Sequence, residues 1–448
     1  MPLEGRIETT ELWKTSRHFG LDTGTCVLVP VYERHEHSLY STTENRVQKD
    51  MNNFASRLLI HNACLFTPNH PGMPGWLLIE SGLIKAIGFG NTPDFSNDGV
   101  VRSVDAQGNN LLPGFIDLHV HGAMGHEVMD ASPAGLEEMA RFYASHGVSS
   151  FLATTWTASR PAIINALELV EEMQGPIQGG ATLLGVHLEG PYLNPAKCGA
   201  QDVNLIRRAE KKEALEFLDS GVIRLLALAP EYDENLWLID ECVKRGITVS
   251  AAHTTANYDQ MQRAVERGVT QLTHSYNAMQ GLGHREVGTI GAAMTSPQIN
   301  CELIADNIHV HPAAQKILVD VKGPSGVILV TDAIRAAGLP EGKYMLDDRS
   351  VRIQDGAVRL ADGTLAGSVL TMERALKNVC AATGRPLTEI WVMSSLNAAR
   401  AIGVSSRKGS LEVGKDGDLV LLDEDFNIKL TVAQGEIVFS SEKELPIS

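Results

Sequence analysis

The chain has 448 residues and is 44% hydrophobic, which is enough apolar material for a large core and more than one domain. Its formal net charge of −16 argues against sequence-independent nucleic-acid binding, because that activity needs a basic surface. No apolar run approaches the roughly 20 residues of a membrane-spanning helix, the six cysteines show no spacing typical of a zinc knuckle or disulfide framework, and the N-terminus lacks a secretory signal. We therefore expect a cytoplasmic protein that binds neither nucleic acid nor membranes.

Two β-rich segments flank the centre of the chain. Residues 1–50, which precede them, are polar and without sustained periodicity, and we interpret them as an N-terminal extension of unknown role. Over residues 51–112 apolar residues alternate and Gly or Asn mark the reversals, which predicts short strands and turns. The same pattern returns over residues 408–448. Because each segment is too small to bury a core alone, we predict that the two pair into one small β-sandwich domain.

Strand-like and helix-like segments alternate over residues 113–407. Amphipathic helical patterns such as "PAGLEEMARFYASHG" separate most of the apolar runs. Eight alternations over roughly 250 residues are typical of an α/β fold of the TIM-like (β/α)8 barrel type, and a doubly wound open sheet is the alternative. The predicted strands are "FIDLHV", "VSSFLATT", "TLLGVHLE", "IRLLALA", "ITVSAAH", "TQLTH", "INCELIA" and "GVILVTD".

Reactive side chains stand at the predicted ends of the barrel strands, where the catalytic residues of such barrels gather. Alternate residues of a strand point to the same side, so both histidines of "DLHVHG" can face the barrel mouth. A single histidine in such a position is more often structural, and His187 illustrates that alternative. Five candidate ligands and a further carboxylate at one rim favour a shared site instead; they are His119, His121, Glu189, His253, His274 and Asp332.

Imidazole nitrogens and carboxylate oxygens are the donors that zinc and similar divalent metals take in catalytic sites. A two-metal arrangement is compatible with these residues, with Glu189 shared between the pair His119 and His121 and the pair His253 and His274. We therefore predict one or two divalent metals per chain, with zinc favoured over iron, manganese or cobalt. The last carboxylate, Asp332, is then free to act on a bound water.

The strand-end motifs also carry a family resemblance. "PGFIDLHVHG" resembles the first-strand motif of the amidohydrolase superfamily, and β segments on both sides of a barrel agree with that architecture. Over about residues 56–440, longer motifs resemble the N-acetylglucosamine-6-phosphate deacetylase family in their expected order. These are "HLEGPYLNPAKCGA", "AAHTTA", "THSYNAM", "IADNIHVHP", "LVTDAI" and "GTLAGSVLTM". The resemblance implies metal-dependent hydrolysis of N-acetylglucosamine 6-phosphate to glucosamine 6-phosphate and acetate.

The resemblance also implies a role for each matching position. Glu189, His253 and His274 are the principal metal ligands, and Asp332 is the catalytic acid and base. One arginine is expected to reach the substrate phosphate in the neighbouring subunit's site, which implies a functional homodimer. This arginine is Arg285, and the full set of implied substrate-binding positions is Ala200, Gln201, Asn277, Ala278, Arg285, His309, Leu365, Ala366 and Gly367.

Two positions depart from the family pattern. His119 and His121 stand where some members have a Gln-x-Asn pair and bind one metal, which favours a second metal here. Gln201 replaces a histidine that helps to hold the sugar in many members; it can hydrogen-bond a hydroxyl but carries no charge. N-acetylgalactosamine 6-phosphate is therefore an alternative substrate. Another amidohydrolase amidase is disfavoured by Asn277 and Arg285, which suit a phosphate, and a non-catalytic scaffold is disfavoured by the complete set of rim residues.

Overall fold

The computed structural model describes residues 57–95, 101–346 and 349–441. The predicted extension over residues 1–50, together with residues 51–56, lies outside the described residues. The described chain forms a parallel barrel and a separate β domain, so the predicted fold class is confirmed. Within these ranges no helix combines the length and the apolar composition needed to cross a bilayer.

The β domain begins with five strands, β1 (Arg57–Phe66), β2 (Pro71–Glu80), β3 (Leu83–Phe89), β4 (Arg102–Asp105) and β5 (Asn110–Pro113). β2 pairs antiparallel with both β1 and β3. β4 and β5 pair in parallel with successive parts of β1. This part of the chain therefore forms an open sheet in which one edge of β5 is left for a strand from elsewhere in the chain.

The barrel begins with β6 (Phe115–Val120), followed by a short hairpin of β7 (Gly122–Ala123) and β8 (His126–Glu127). Its other strands are β9 (Val148–Thr154), β10 (Thr182–Glu189), β11 (Ile223–Leu228), β12 (Thr248–Ala251), β13 (Val269–Leu272), β14 (Asn300–Ile304) and β15 (Val327–Val330). The eight barrel strands are parallel and follow one another in sequence order. The chain after β15 returns to β6, where the backbone N of Asp332 donates to the carbonyl of His119 at 2.8 Å. All carboxyl ends of the strands therefore meet at one rim.

Helices cover the outside of the barrel. They are α1 (Pro133–Ser145), α2 (Arg160–Met173), α3 (Lys211–Asp219), α4 (Asp233–Lys244), α5 (Tyr258–Arg267), α6 (Gly288–Thr295), α7 (Pro312–Lys322), α8 (Met372–Thr383), α9 (Leu387–Ile390) and α10 (Leu396–Ala401). Short 3-10 turns occupy Val128–Asp130, Pro195–Lys197, Pro324–Gly326 and Trp391–Ser394. α1 and α2 begin where Ser132 and Ser159 accept hydrogen bonds from the first turn, as helix-capping serines do.

A four-stranded antiparallel sheet interrupts the barrel region after β15. It comprises β16 (Gly342–Leu346), β17 (Arg349–Gln354), β18 (Ala357–Leu360) and β19 (Leu365–Ser368). Its apolar face, which includes Val351 and Ile353, packs against Trp156 and Ala200. The sequence interpretation did not identify this sheet, because it assigned the whole of residues 113–407 to barrel units.

The last strands complete the β domain. β20 (Leu419–Leu422), β21 (Ile428–Ala433) and β22 (Glu436–Ser440) form a meander, and β20 pairs antiparallel with β5. Buried side chains from both halves share one core, which includes Ile60 and Leu77 from the first half and Leu421 and Leu430 from the second. The prediction that the flanking segments form one β domain is confirmed, and the domain boundaries stay predictions.

Candidate active site

Four donor atoms converge at the end of β6. The Nε2 atoms of His119 and His121 lie 3.3 Å apart. Glu189 Oε2 lies 3.3 Å from His121 Nε2 and 3.6 Å from His119 Nε2, and Asp332 Oδ1 lies at the same two distances. Ligands about 2.1 Å from a tetrahedral metal lie about 3.4 Å from one another. The donor atoms therefore have the spacing of a metal site.

A second set of donors lies on the other side of the same carboxylate. His253 Nε2 and His274 Nε2 lie 3.2 Å and 3.1 Å from Glu189 Oε1, and 3.1 Å from each other. Glu189 thus presents one oxygen to each histidine pair, and the two groups of three residues are each able to hold a metal ion. A three-ligand group leaves a position for water or substrate, as catalytic zinc sites do.

In two of the histidines, a hydrogen bond from Nδ1 determines that Nε2 is the nitrogen that faces the cluster. His253 Nδ1 donates to the carbonyl of Lys197 at 2.7 Å, and His119 Nδ1 donates to Glu302 Oε2 at 3.3 Å. In the neutral tautomers that these contacts select, each Nε2 carries a lone pair. The Nε2 atoms are therefore prepared for a metal.

The buried charges of the cluster shift the pKa values of its members. Burial lowers the pKa of His119, but the carboxylates of Glu189 and Asp332 outweigh burial and raise it well above its ordinary value. Burial raises the pKa of Asp332, yet His119 and His121 lower it to about 2. Asp332 is consequently ionised at neutral pH, and a proton competes with a metal for the His119 ring.

Three of these residues follow their strands in left-handed backbone conformations. The φ angles are 42° at His253, 30° at His274 and 51° at Asp332. Such conformations cost non-glycine residues about 1–3 kcal/mol each and persist only where surrounding contacts impose them. In this barrel they turn the side chains from the strand direction into the mouth, which is a feature that strand periodicity alone does not predict.

Buried polar residues beneath the cluster were missed at the level of sequence. Glu302 Oε2 also accepts from the backbone N of His274 at 3.3 Å. Asp117 accepts from the backbone N of His119 and from the Thr331 hydroxyl, at 3.2 Å and 2.6 Å, and its burial raises its pKa to about 7. Asp117 lies two residues before His119, so along an extended chain it points to the same side as His119 and His121, and Glu302 is the one charged residue of β14. Both features could have been recognised in the sequence.

Aromatic rings pack against His119 and His121. Trp156 stacks on His121 with ring centroids 3.9 Å apart and planes 14° from parallel. His187 meets His119 edge to face at 4.6 Å and donates from Nδ1 to the carbonyl of Leu118 at 3.1 Å. Burial lowers the pKa of His187 well below its ordinary value, so the ring is neutral. His187 is thus a packed, hydrogen-bonded histidine beside the donor atoms.

A pocket of about 460 Å³ opens above the donor atoms. It brings together most of the predicted substrate positions, namely Ala200, Gln201, Asn277, Ala278, His309, Leu365 and Gly367, with side chains that were not predicted, including Trp156, Lys197, Arg359 and Thr364. Ala366 is instead fully buried in the cluster with Trp156 and Ala200. Arg285 is exposed on the loop after β13, away from this lining, and makes no hydrogen bond or ion pair within the part of the chain that the structure describes.

Two of the lining residues are held firmly. Gln201 accepts from the backbone N of Thr157 at 2.7 Å and donates to Glu189 Oε2 at 2.8 Å. His309 Nδ1 contacts Asp306 Oδ2 at 2.6 Å, which leaves Nε2 as the ring nitrogen available to the pocket. Burial raises the pKa of Asp306, but its contacts with His309 outweigh burial and lower it. The His309–Asp306 pair therefore places an orientated imidazole at the pocket wall.

Comparison with known proteins identifies the family to which the chain belongs. The sequence profile of the Amidohydrolase family matches residues 110–438. The chain belongs to the amidohydrolase family. It is 37% identical over 395 residues to the N-acetylglucosamine-6-phosphate deacetylase of Bacillus subtilis strain 168, which covers 87% of this chain and 99% of the relative. It is 38% identical over 329 residues to the N-acetylgalactosamine-6-phosphate deacetylase of Escherichia coli O157:H7, with 73% and 87% covered.

A solved structure shares the same architecture. A mutant N-acetyl-D-glucosamine-6-phosphate deacetylase from Mycobacterium smegmatis, solved with N-acetyl-D-glucosamine-6-phosphate, is 30% identical and superposes with a TM-score of 0.78. The match covers 86% of this amidohydrolase and 100% of the mycobacterial chain. The resemblance inferred from the strand-end motifs is thereby confirmed.

Proposed function

We propose that this amidohydrolase cleaves the acetamide of N-acetylglucosamine 6-phosphate to give glucosamine 6-phosphate and acetate. The observation that carries the proposal is a cluster of five potential metal donors beside Asp332, of which all but the fully buried His119 line one pocket. The deacetylase relatives, which match most of the chain, support the choice of substrate. The proposed products follow from hydrolysis of a linear amide.

The donor set fits a divalent metal. His119, His121 and Glu189 would hold one ion, and Glu189, His253 and His274 a second. Nitrogen and carboxylate donors at these spacings suit zinc best, although iron, manganese and cobalt accept the same ligands. When bound, such a metal supplies a water of near-neutral pKa and polarises the amide carbonyl.

The chain's own residues then move the protons. Asp332 is ionised and lies 3.3 Å from His121 Nε2, so it can accept a proton from the attacking water at the donor cluster. The same carboxyl group returns that proton to the leaving amine. His309 Nδ1 donates to Asp306, so in its imidazolium form, with both ring nitrogens protonated, His309 can also donate from Nε2 to the oxygen on which negative charge develops.

The phosphate fixes the sugar in the pocket. Asn277 and Ala278 line the pocket together with His274, which supports the proposal that they contact the phosphate group. Arg285 is exposed on the loop after β13, and we propose that it completes the phosphate site of a neighbouring copy in a homodimer. Binding energy from this remote group positions the reacting amide.

Acetate release tests the proposal. Purified protein is assayed with N-acetylglucosamine 6-phosphate, with its galactosamine epimer and with unphosphorylated N-acetylglucosamine, each before and after treatment with a chelator. We expect chelator-sensitive acetate release from the first substrate and weak release from the third. Preference for the second substrate would assign the galactosamine epimer, in line with the Escherichia coli relative. No acetate from either phosphorylated sugar would refute the proposed function.

A further inference from the structure

A row of basic side chains crosses the sheet formed by β16 to β19. Lys343 lies directly opposite Arg352, and Arg352 lies directly opposite Arg359, on three adjacent antiparallel strands. Residues paired in this way share a face of the sheet, with Cβ atoms about 5 Å apart. All three side chains are exposed, while Val351 and Ile353, which alternate with Arg352, are buried on the opposite face. We call Lys343, Arg352 and Arg359 the basic row.

The basic row ends at the active-site pocket. Arg359 lies opposite Leu365 of β19, and both residues line the pocket. Arg352 and Arg359 also line an adjoining cavity of about 420 Å³, whose wall includes Ile308, the neighbour of His309. Arg359 therefore stands on the border between the two cavities.

Within the described residues, no carboxylate neutralises the charges of the basic row. None of its members forms an ion pair with a carboxylate of the described ranges, and Asp355 is the acidic residue that lines the adjoining cavity. Arg359 donates from Nη1 to the carbonyl of Gly363 at 2.9 Å, which uses one of its five N–H donors. Like charges directly opposite on neighbouring strands destabilise a sheet. The arrangement is therefore costly for the fold unless an anion binds there.

The overall charge of the protein makes such local cations important. A formal net charge of −16 repels a phosphate dianion at long range, whereas cations at the mouth of a cleft attract it and raise the rate of productive encounter. Lys197 adds a further cation to the pocket lining. The basic row runs from the edge strand β16 to Arg359 at the pocket border.

We propose that the basic row guides the phosphate group of the substrate into the pocket, and that Arg359 is a specificity-determining residue that favours phosphorylated over unphosphorylated sugars. The inference rests on the proposed function, because it takes the phosphorylated amino sugar as the ligand. It adds a contribution from the same subunit to the phosphate contacts proposed above.

Substitution of Arg359 tests the specificity role. Arg359→Gln should lower kcat/KM for N-acetylglucosamine 6-phosphate by about tenfold, mainly through KM, because a hydrogen bond to a charged group is lost. It should leave turnover of N-acetylglucosamine unchanged, and Arg359→Lys should retain most of the activity. The control Arg102→Gln removes the same charge from an exposed position on β4. Equal losses with both sugars, or an equal loss in the control, would overturn the inference.

Ionic strength tests the guidance role. For the unmodified protein, kcat/KM with the phosphorylated sugar should fall as salt is added, because salt screens the attraction. In a variant that combines Lys343→Gln, Arg352→Gln and Arg359→Gln, this dependence should become flatter or reverse in sign. The same salt dependence in both proteins would contradict guidance by the basic row.

A binding measurement separates this inference from the proposed function. Glucosamine 6-phosphate is titrated calorimetrically into the unmodified protein, Arg359→Gln and Arg102→Gln. If the unmodified protein releases no acetate, the proposed function fails, and the titration still decides the role of Arg359. Weaker binding in Arg359→Gln alone supports the basic row as an anion site. Equal affinity in all three proteins overturns it.

Discussion

Replacing Glu302 with Gln should weaken metal binding by about tenfold. Glu302 is fully buried, and its Oε2 accepts from His119 Nδ1 and from the backbone N of His274, each at 3.3 Å. Gln preserves the shape and still accepts hydrogen bonds, but it removes the negative charge that holds the proton on His119 Nδ1. Such supporting contacts contribute about 10- to 100-fold to metal affinity. We expect the lower value because both distances exceed the usual 2.9 Å or so.

Competition with a chromophoric chelator at fixed pH measures this affinity directly, without relying on turnover. Asp117→Asn is the matched control, because Asp117 is equally buried and contacts the backbone N of His119 rather than its ring. Its metal affinity should change less than that of Glu302→Gln. Unfolding midpoints of both variants would show whether the fold is retained. Affinity unchanged in Glu302→Gln, or lowered equally in the control, would refute a role for the ring contact.

Three further variants test the proposed roles. Asp332→Asn should retain metal but lower kcat by about 10²- to 10⁴-fold, because it removes the general base; near-normal turnover would contradict that role. Replacing His119 with Gln and His121 with Asn should lower the metal content found by elemental analysis from about two ions per chain to about one; a content of one in both proteins would exclude the first cluster as a metal site. Arg285→Ala should lower kcat/KM by about 10- to 150-fold, mostly through KM. Mixing Arg285→Ala chains with Asp332→Asn chains should restore activity if the arginine acts across a dimer, and should restore none if it serves its own site.

The rim residues could be predicted because a parallel barrel converts sequence position into spatial position. Each of Glu189, His253 and His274 follows an apolar run, and the carboxyl ends of all such runs meet at one rim. The place of Glu189 in the chain allowed the prediction that it is shared between the two histidine pairs. Which of its oxygens faces which pair depends on the orientation of its side chain. Periodicity carries no information on that orientation.

The residues around the rim were missed for a different reason. Glu302 and Trp156 come from different strand units, and their contacts with the histidines depend on which side chains neighbouring strands direct inward. Arg359 depends on an additional sheet whose alternating pattern, "RSVRIQ", indicates a strand but not its place beside the pocket. Contacts between residues that are far apart in the chain depend on how the elements pack. The sequence pattern predicts the individual elements but not these contacts.

The two departures from the family pattern are physically connected through one carboxylate. Glu189 Oε2 lies 3.3 Å from His121 Nε2, and the same oxygen accepts from Gln201 Nε2 at 2.8 Å. A protonated histidine in place of Gln201 would set a cation against the oxygen on which a metal at the first cluster depends. The neutral carboxamide instead holds the carboxylate in position and leaves its negative charge to the metal. In a chain that keeps His119 and His121 as donors, Gln at position 201 therefore favours metal binding at the first cluster more than a positively charged side chain would.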